Sequence, residues 1–194
     1  GTTEMGTLNI YFDFTKVGGN VVIGTVAYEK EGGLRHTFKK IEKLTLEESE
    51  KYNQFHSTIK ALHLGIKELK EWITENKPGG MKVVLLNQNQ LIFRWLAEQS
   101  YSIDYADVFE ELNYDLFKLL DSVEFEYREI TGKDNRVKKI LKQEAATIKV
   151  DSQSLNFSLL REKFSDSKTR VEERENQRKV VGDTNIVDLN RFKV

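Results

Sequence analysis

Asp13 stands on the alternate phase of a run in which Leu8, Ile10, Phe12 and Phe14 alternate with Asn9, Tyr11, Asp13 and Thr15. A carboxylate there is either a plain polar residue at a strand end or a hard oxygen donor able to hold a cation. Further carboxylates that suit a single-metal site stand at Glu50, Asp104, Glu129 and Asp134. The second group able to do chemistry is basic. Lys133, Arg136, Lys138, Lys139 and Lys142 place five positive charges in ten residues, opposed by Asp134. Such a run binds phosphates by displacing their counterions, or it is a solvated helix surface. Tyr11, His36, Lys39 and Lys40 extend the patch if they lie on the exposed face. His36, His56 and His63 are well separated and read as surface or boundary residues rather than a ligand set. The chain carries no cysteine, which excludes disulfides and thiolate metal sites. No phosphate-binding glycine loop, nucleophile elbow or zinc-binding spacing is present.

The elements that must position these residues follow from periodicity. Leu8 to Thr15 alternates as a strand, Val21 to Tyr28 is rich in β-branched residues, and Leu34 to Ile41 is similar in composition. Gly18-Gly19-Asn20 and Glu31-Gly32-Gly33 are turn signals, so the three strands form an antiparallel meander. Thr45 with Glu47 and Glu48 caps one long helix, whose apolar stripe runs through Tyr52, Phe55, Ile59, Leu62, Ile66, Leu69 and Ile73. Pro78-Gly79-Gly80 ends it. Met81 to Leu86 is a buried strand, Leu91 to Gln99 and Tyr105 to Leu120 are helices, Val123 to Glu129 is a fifth strand and Asn135 to Ile148 a last helix. The order predicts a mixed α/β fold: a five-stranded mixed sheet with flanking helices.

Composition sets the frame. The 194 residues allow one domain of ordinary size plus an appendage. Residues 1–7 read as an N-terminal extension or expression remnant, 8–150 as the domain, and 151–194 as a charged C-terminal extension, helical or disordered. The extension holds nine Lys/Arg and eight Asp/Glu, with a small apolar cluster of Ile186, Val187, Leu189 and Phe192. Net charge is −1, from 30 basic and 31 acidic residues, which removes any global argument for nucleic acid but leaves room for a local patch. No apolar run approaches the roughly 18 residues of a membrane-spanning helix. No secretory leader is visible, so a cytoplasmic location is expected.

Across residues 8–148 the chain resembles the ribonuclease H-like superfamily. The strand Leu8-Asn9-Ile10-Tyr11-Phe12-Asp13-Phe14-Thr15 looks like the family's first strand, with Asp13 on its Asp, and Gly24 falls where the family tends to place glycine. In the long helix, Gln54 falls on the family's Glu. After the fourth strand, Gln88-Asn89-Gln90 stands where the family reads Asp-Ser-Gln, so Gln88 replaces the Asp. Asn135 to Leu141 follows the family's last motif and puts Lys139 on its Asp, or Lys138 with a register shift of one. The resemblance implies two-metal phosphodiester hydrolysis, in which carboxylates hold paired Mg²⁺. Family members supply about −4 at these positions, whereas Asp13 (−1), Gln54, Gln88 and Lys139 (+1) sum to zero.

The expectation is therefore a degenerate member, a pseudo-nuclease with no enzyme activity, no metal and no cofactor. A lysine ammonium is expected in the vacated metal position, paired with Asp13. The function expected is binding to a protein partner or assembly, or to a second copy, through Ile186, Val187, Leu189 and Phe192 or a sheet edge. The alternative is a non-cleaving nucleic-acid-binding module for RNA, DNA or hybrid, using Lys133, Arg136, Lys138, Lys139 and Lys142. A third is a nuclease with relocated carboxylates. In that case Glu50 serves from one turn before Gln54 on the same helix face, or Asp134 serves.

Overall fold

The computed structural model describes residues 6–151. The C-terminal apolar cluster at 186–192 lies outside them. The strands are β1 (Gly6–Val17), β2 (Asn20–Tyr28), β3 (Phe38–Lys43), β4 (Met81–Asn87) and β5 (Val123–Glu129). They form one sheet in the order β3-β2-β1-β4-β5. β1 pairs antiparallel with β2, and β2 with β3, as the two glycine-rich turns predict. β4 lies parallel to β1 and β5 parallel to β4, so the sheet is mixed. The helices are α1 (Leu46–Lys51), α2 (Gln54–Asn76), α3 (Gln90–Glu98), α4 (Ala106–Phe117) and α5 (Val137–Glu144).

Two elements differ from the sequence reading. β3 starts at Phe38, and Leu34 sits in the preceding loop 98% exposed. An apolar residue near a Gly-Gly pair reads as strand, but the turn here runs further before pairing resumes. The long helix is two helices. Thr45 caps α1 by a reciprocal box with Glu48, and Asn53 opens α2 with a second box through His56. Tyr52 and Asn53 between them have extended backbone. An Asn whose side chain accepts from two helical N–H groups restarts the helix rather than continuing it. Glu50 therefore does not sit one turn before Gln54 on the same helix.

Each face of the sheet is covered. One side buries Ile10, Phe12 and Ile23, and α2 packs there through Gly65. A Cβ on Gly65 would stand 2.9 Å from Thr25 Oγ1 and 3.3 Å from Ile10 Cγ2. Only a residue without a side chain permits that approach. Full burial of side chains such as Phe12 and Leu62 is worth about 1.5–3 kcal/mol each, which is what holds α2 down. On the other side Tyr11, Val22, Val26, Tyr28, Val84 and Leu86 pack against Val137, Leu141 and Ala145 of α5 and the turn after it. Gly24 lets α5 settle, since a Cβ there would lie 2.8 Å from both Ile41 Cδ1 and Leu141 Cδ2. Among the described residues no helix is long and apolar enough to cross a membrane.

A candidate site at the ends of β1 and β4

Parallel pairing brings the C-terminal ends of β1 and β4 to the same edge of the sheet, with Tyr11 opposite Leu86. Alternation then sets the side chains: Tyr11 faces α5, so Asp13, two residues on, faces it too. Asp13 is 3% exposed. Gln88 Nε2 donates to Asp13 Oδ2 at 3.2 Å, and Asn135 Nδ2 donates to Gln88 Oε1 at 2.8 Å. The Asn135 amide also reaches Phe12 O at 3.0 Å, where Asn87 Nδ2 donates at 2.7 Å. Lys138 Nζ stands 3.8 Å from Asp13 Oδ2. Burial pushes the Asp13 carboxyl above its usual range, against the Phe14 backbone, the Gln88 amide and the Lys138 charge, which all pull it down.

The expected pairing of Asp13 with a lysine is present, but its partner is Lys138 rather than Lys139. α5 begins at Val137, and the turn from Asn135 directs Lys138 back over the strand ends, while Lys139 is exposed and forms no ion pair with Asp13. Gln54 is also apart from the cluster. It is exposed in the first turn of α2, the helix on the opposite face, and its carbonyl accepts from Thr58. Asp134 is exposed and accepts from Thr131 Oγ1 at 2.8 Å. Glu129 is exposed at the end of β5, and Asp104 offers its backbone carbonyl to His56 Nε2 at 2.8 Å. Among the described residues no group of three or more His, Cys, Asp or Glu stands close enough to hold a metal ion. At Asp13 the single carboxylate is engaged by an amide and an ammonium, and Gln88 turns its oxygen to Asn135. This donor set does not fit a pair of divalent cations, which require several anionic oxygens.

The basic run divides. Arg136 is structural: its guanidinium carbon lies 3.3 Å over the Tyr28 ring centroid, and Nη2 donates to Gly33 O in the β2–β3 loop. Lys138 is shared with Asp13. Lys133, Lys139 and Lys142 are exposed and have no partner among the described residues. Of the proposed extension, Tyr11 does not take part, because it is buried edge-on to Tyr28 with centroids 6.1 Å apart. Lys39 pairs with Glu144, while His36 and Lys40 are exposed. Gln88, placed on the family's Asp by the resemblance, does meet Asp13, whereas Asn87 is the site residue that the sequence pattern does not reveal: its amide holds Phe12 O from the opposite face of β4.

LC11-RNase H1, isolated from compost by a metagenomic approach, is similar in fold, with TM-score 0.53 at 17% identity over 74% of this chain and 100% of that one. The fold is ribonuclease H-like. The crystal structure of LC11-RNase H1 in complex with RNA/DNA hybrid gives TM-score 0.51 at 18% identity, covering 67% of this chain and 89% of that chain. RNase H1 from the halophilic archaeon Halobacterium salinarum NRC-1 gives 0.50 at 15% identity over the same shares. No protein-family model and no curated protein matches the sequence. These likenesses correct the expectation that the chain is not an enzyme. The three solved neighbours named above are RNases H1, so sharing their fold gives no ground for calling this chain inactive. Altered residues at three of the four positions, with Asp13 kept, do not amount to loss of activity.

Proposed function

We propose that this chain is a nucleic-acid-binding module that takes a sugar–phosphate backbone along α5 and the turn before it, beside the ends of β1 and β4. The observation that carries this reading is the set Lys133, Lys139 and Lys142, exposed, unpaired among the described residues and gathered on one segment. Unpaired lysines are the groups that gain most from displacing phosphate counterions, because no internal carboxylate has to be given up first. A ribonuclease H1 of the same fold is solved with an RNA/DNA hybrid, which makes the hybrid the first probe.

The test is a gel with labelled RNA–DNA hybrid, duplex DNA and single strands, with Mg²⁺ and Mn²⁺, scored for both retention and cleavage. Retention should fall as salt rises, with a log–log slope of about −3 for three phosphate contacts. Joint replacement of Lys133, Lys139 and Lys142 by Ala should abolish most of it. Equal retention by that variant, or none by the native chain at low salt, would overturn the reading. Cleavage in the same lanes reports enzyme activity directly.

A second reading, a protein partner, draws support from α4 and the turn after it. Tyr114, Phe117 and Leu120 recur every three residues and are 67%, 52% and 53% exposed. Large side chains in an exposed row suit a protein surface better than phosphate. A complex that persists at high salt and is lost on Phe117→Ser would favour it.

A further inference from the structure

The carboxylate at the strand ends comes with a cation already in place. Lys138 Nζ lies 3.8 Å from Asp13 Oδ2, the same oxygen that accepts from Gln88. Two features hold the ammonium there. Asn135, anchored to Phe12 O and Gln88, accepts the Lys138 backbone N–H at 3.0 Å and so fixes the first turn of α5. Gly132 clears the path of the side chain, since a Cβ there would lie 3.0 Å from Lys138 Nζ.

We propose that the Lys138 ammonium is the resident counter-ion of Asp13 and fills the place a divalent cation would take in this fold, so that this face meets its ligands without metal. A divalent ion approaching Asp13 meets a positive charge at ion-pair distance and gains a single carboxylate in return. The neighbouring oxygen donor, Gln88 Oε1, is spent on Asn135. The ammonium needs no recruitment from solution, because it is carried on α5; the cost is only that of ordering the lysine side chain.

The experiment is a Mn²⁺ titration of the full chain, followed by the loss of the free-ion electron paramagnetic resonance signal. The native chain should take up Mn²⁺ weakly. Lys138→Ala should bind it about tenfold more tightly, as removal of a unit charge near 4 Å implies. Lys138→Met, which keeps the apolar stem, should show the same gain, and adding Asp13→Asn to either should cancel it. Absence of a gain in both folded variants, or a gain that survives Asp13→Asn, would overturn the proposal. A second arm rests on the nucleic-acid reading: retention of hybrid by the native chain should be unchanged by chelator at matched ionic strength. Chelator-sensitive retention would count against Lys138 as the counter-ion. Failure to retain hybrid at all would count against the binding reading, with the Mn²⁺ titration still deciding the role of Lys138.

Discussion

Asn135 and Gln88 are joined by a 2.8 Å hydrogen bond, and the same Asn135 amide nitrogen reaches Phe12 O at 3.0 Å. One buried side chain thus ties the start of α5 to the ends of two strands. Asn135→Ala should cost about 2 kcal/mol, because it strips Gln88 Oε1 of its donor and leaves Phe12 O with Asn87 Nδ2 alone of its two amide donors. Asn135→Asp should cost more, since it opposes those acceptors with a third and adds charge beside Asp13. Urea unfolding of the two variants gives the ranking, and Asp milder than Ala would refute this account of the amide.

Asp13 carries a pH signature of definite sign. Burial raises its carboxyl above the usual range, so the folded chain holds this proton more firmly than the unfolded one. Stability from this group is present at acid pH and is lost as pH rises through the raised value. Asp13→Asn should therefore gain stability relative to the native chain as pH increases from the acid limb toward neutrality. A carboxyl NMR titration placing Asp13 at or below the ordinary range would contradict this.

His63 and Asp115 carry the opposite sign. His63 Nε2 lies 2.6 Å from Asp115 Oδ2 across the α2–α4 contact. Burial holds the imidazole below its ordinary range despite that bond. Burial raises the Asp115 carboxyl, but hydrogen bonds from His63 and Lys70 outweigh it and hold the group low. Each folded-state value lies below its unfolded one, so the unfolded chain takes up protons first and stability falls on acidification. The loss begins near the ordinary histidine value of about 6.5. His63→Gln should flatten the slope of stability between about pH 7 and 5. An unchanged slope would place the acid sensitivity elsewhere.

Gly65→Ala tests the close approach of α2 to the sheet. In an open helix the change gains about 1 kcal/mol. Here the new Cβ meets Thr25 Oγ1 at 2.9 Å, and that hydroxyl is held by its 3.0 Å bond to Tyr11 O. Overpacking should win, with a net loss of about 1–2 kcal/mol. Adding Thr25→Ala should recover part of it, so the pair should be non-additive in thermal melts.

The sheet was legible because alternation and glycine turns are local signals, and all five strands stand where the residues indicate, apart from the late start of β3. The break between α1 and α2 was masked by an apolar stripe that continues through Tyr52 and Phe55, while the capping geometry of Asn53 depends on a backbone angle. At the site, Asp13 and Gln88 were picked out by position and do meet. Whether Lys138 or Lys139 reaches Asp13 turns on where α5 begins, and a one-residue shift rotates a helix by about 100°. Arg136 counted as a free charge in the sequence, because nothing local reveals that Tyr28 and Gly33 await it.

The place of β1 also has a consequence in time. Its antiparallel partner β2 follows after a two-residue turn, but its parallel partner β4 begins 75 residues later, with Gly6 opposite Met81. The meander can therefore zip early, while the far edge of the central strand stays open until the chain has been made through Asn87. Non-local closure of this kind is slow and leaves hydrogen-bonding edges bare in the interval. α5 arrives later still, so the cluster around Asp13 is completed last. A nascent chain stopped before Asn135 would present Tyr11, Val84 and Leu86 uncovered, a surface suited to chaperones rather than ligands.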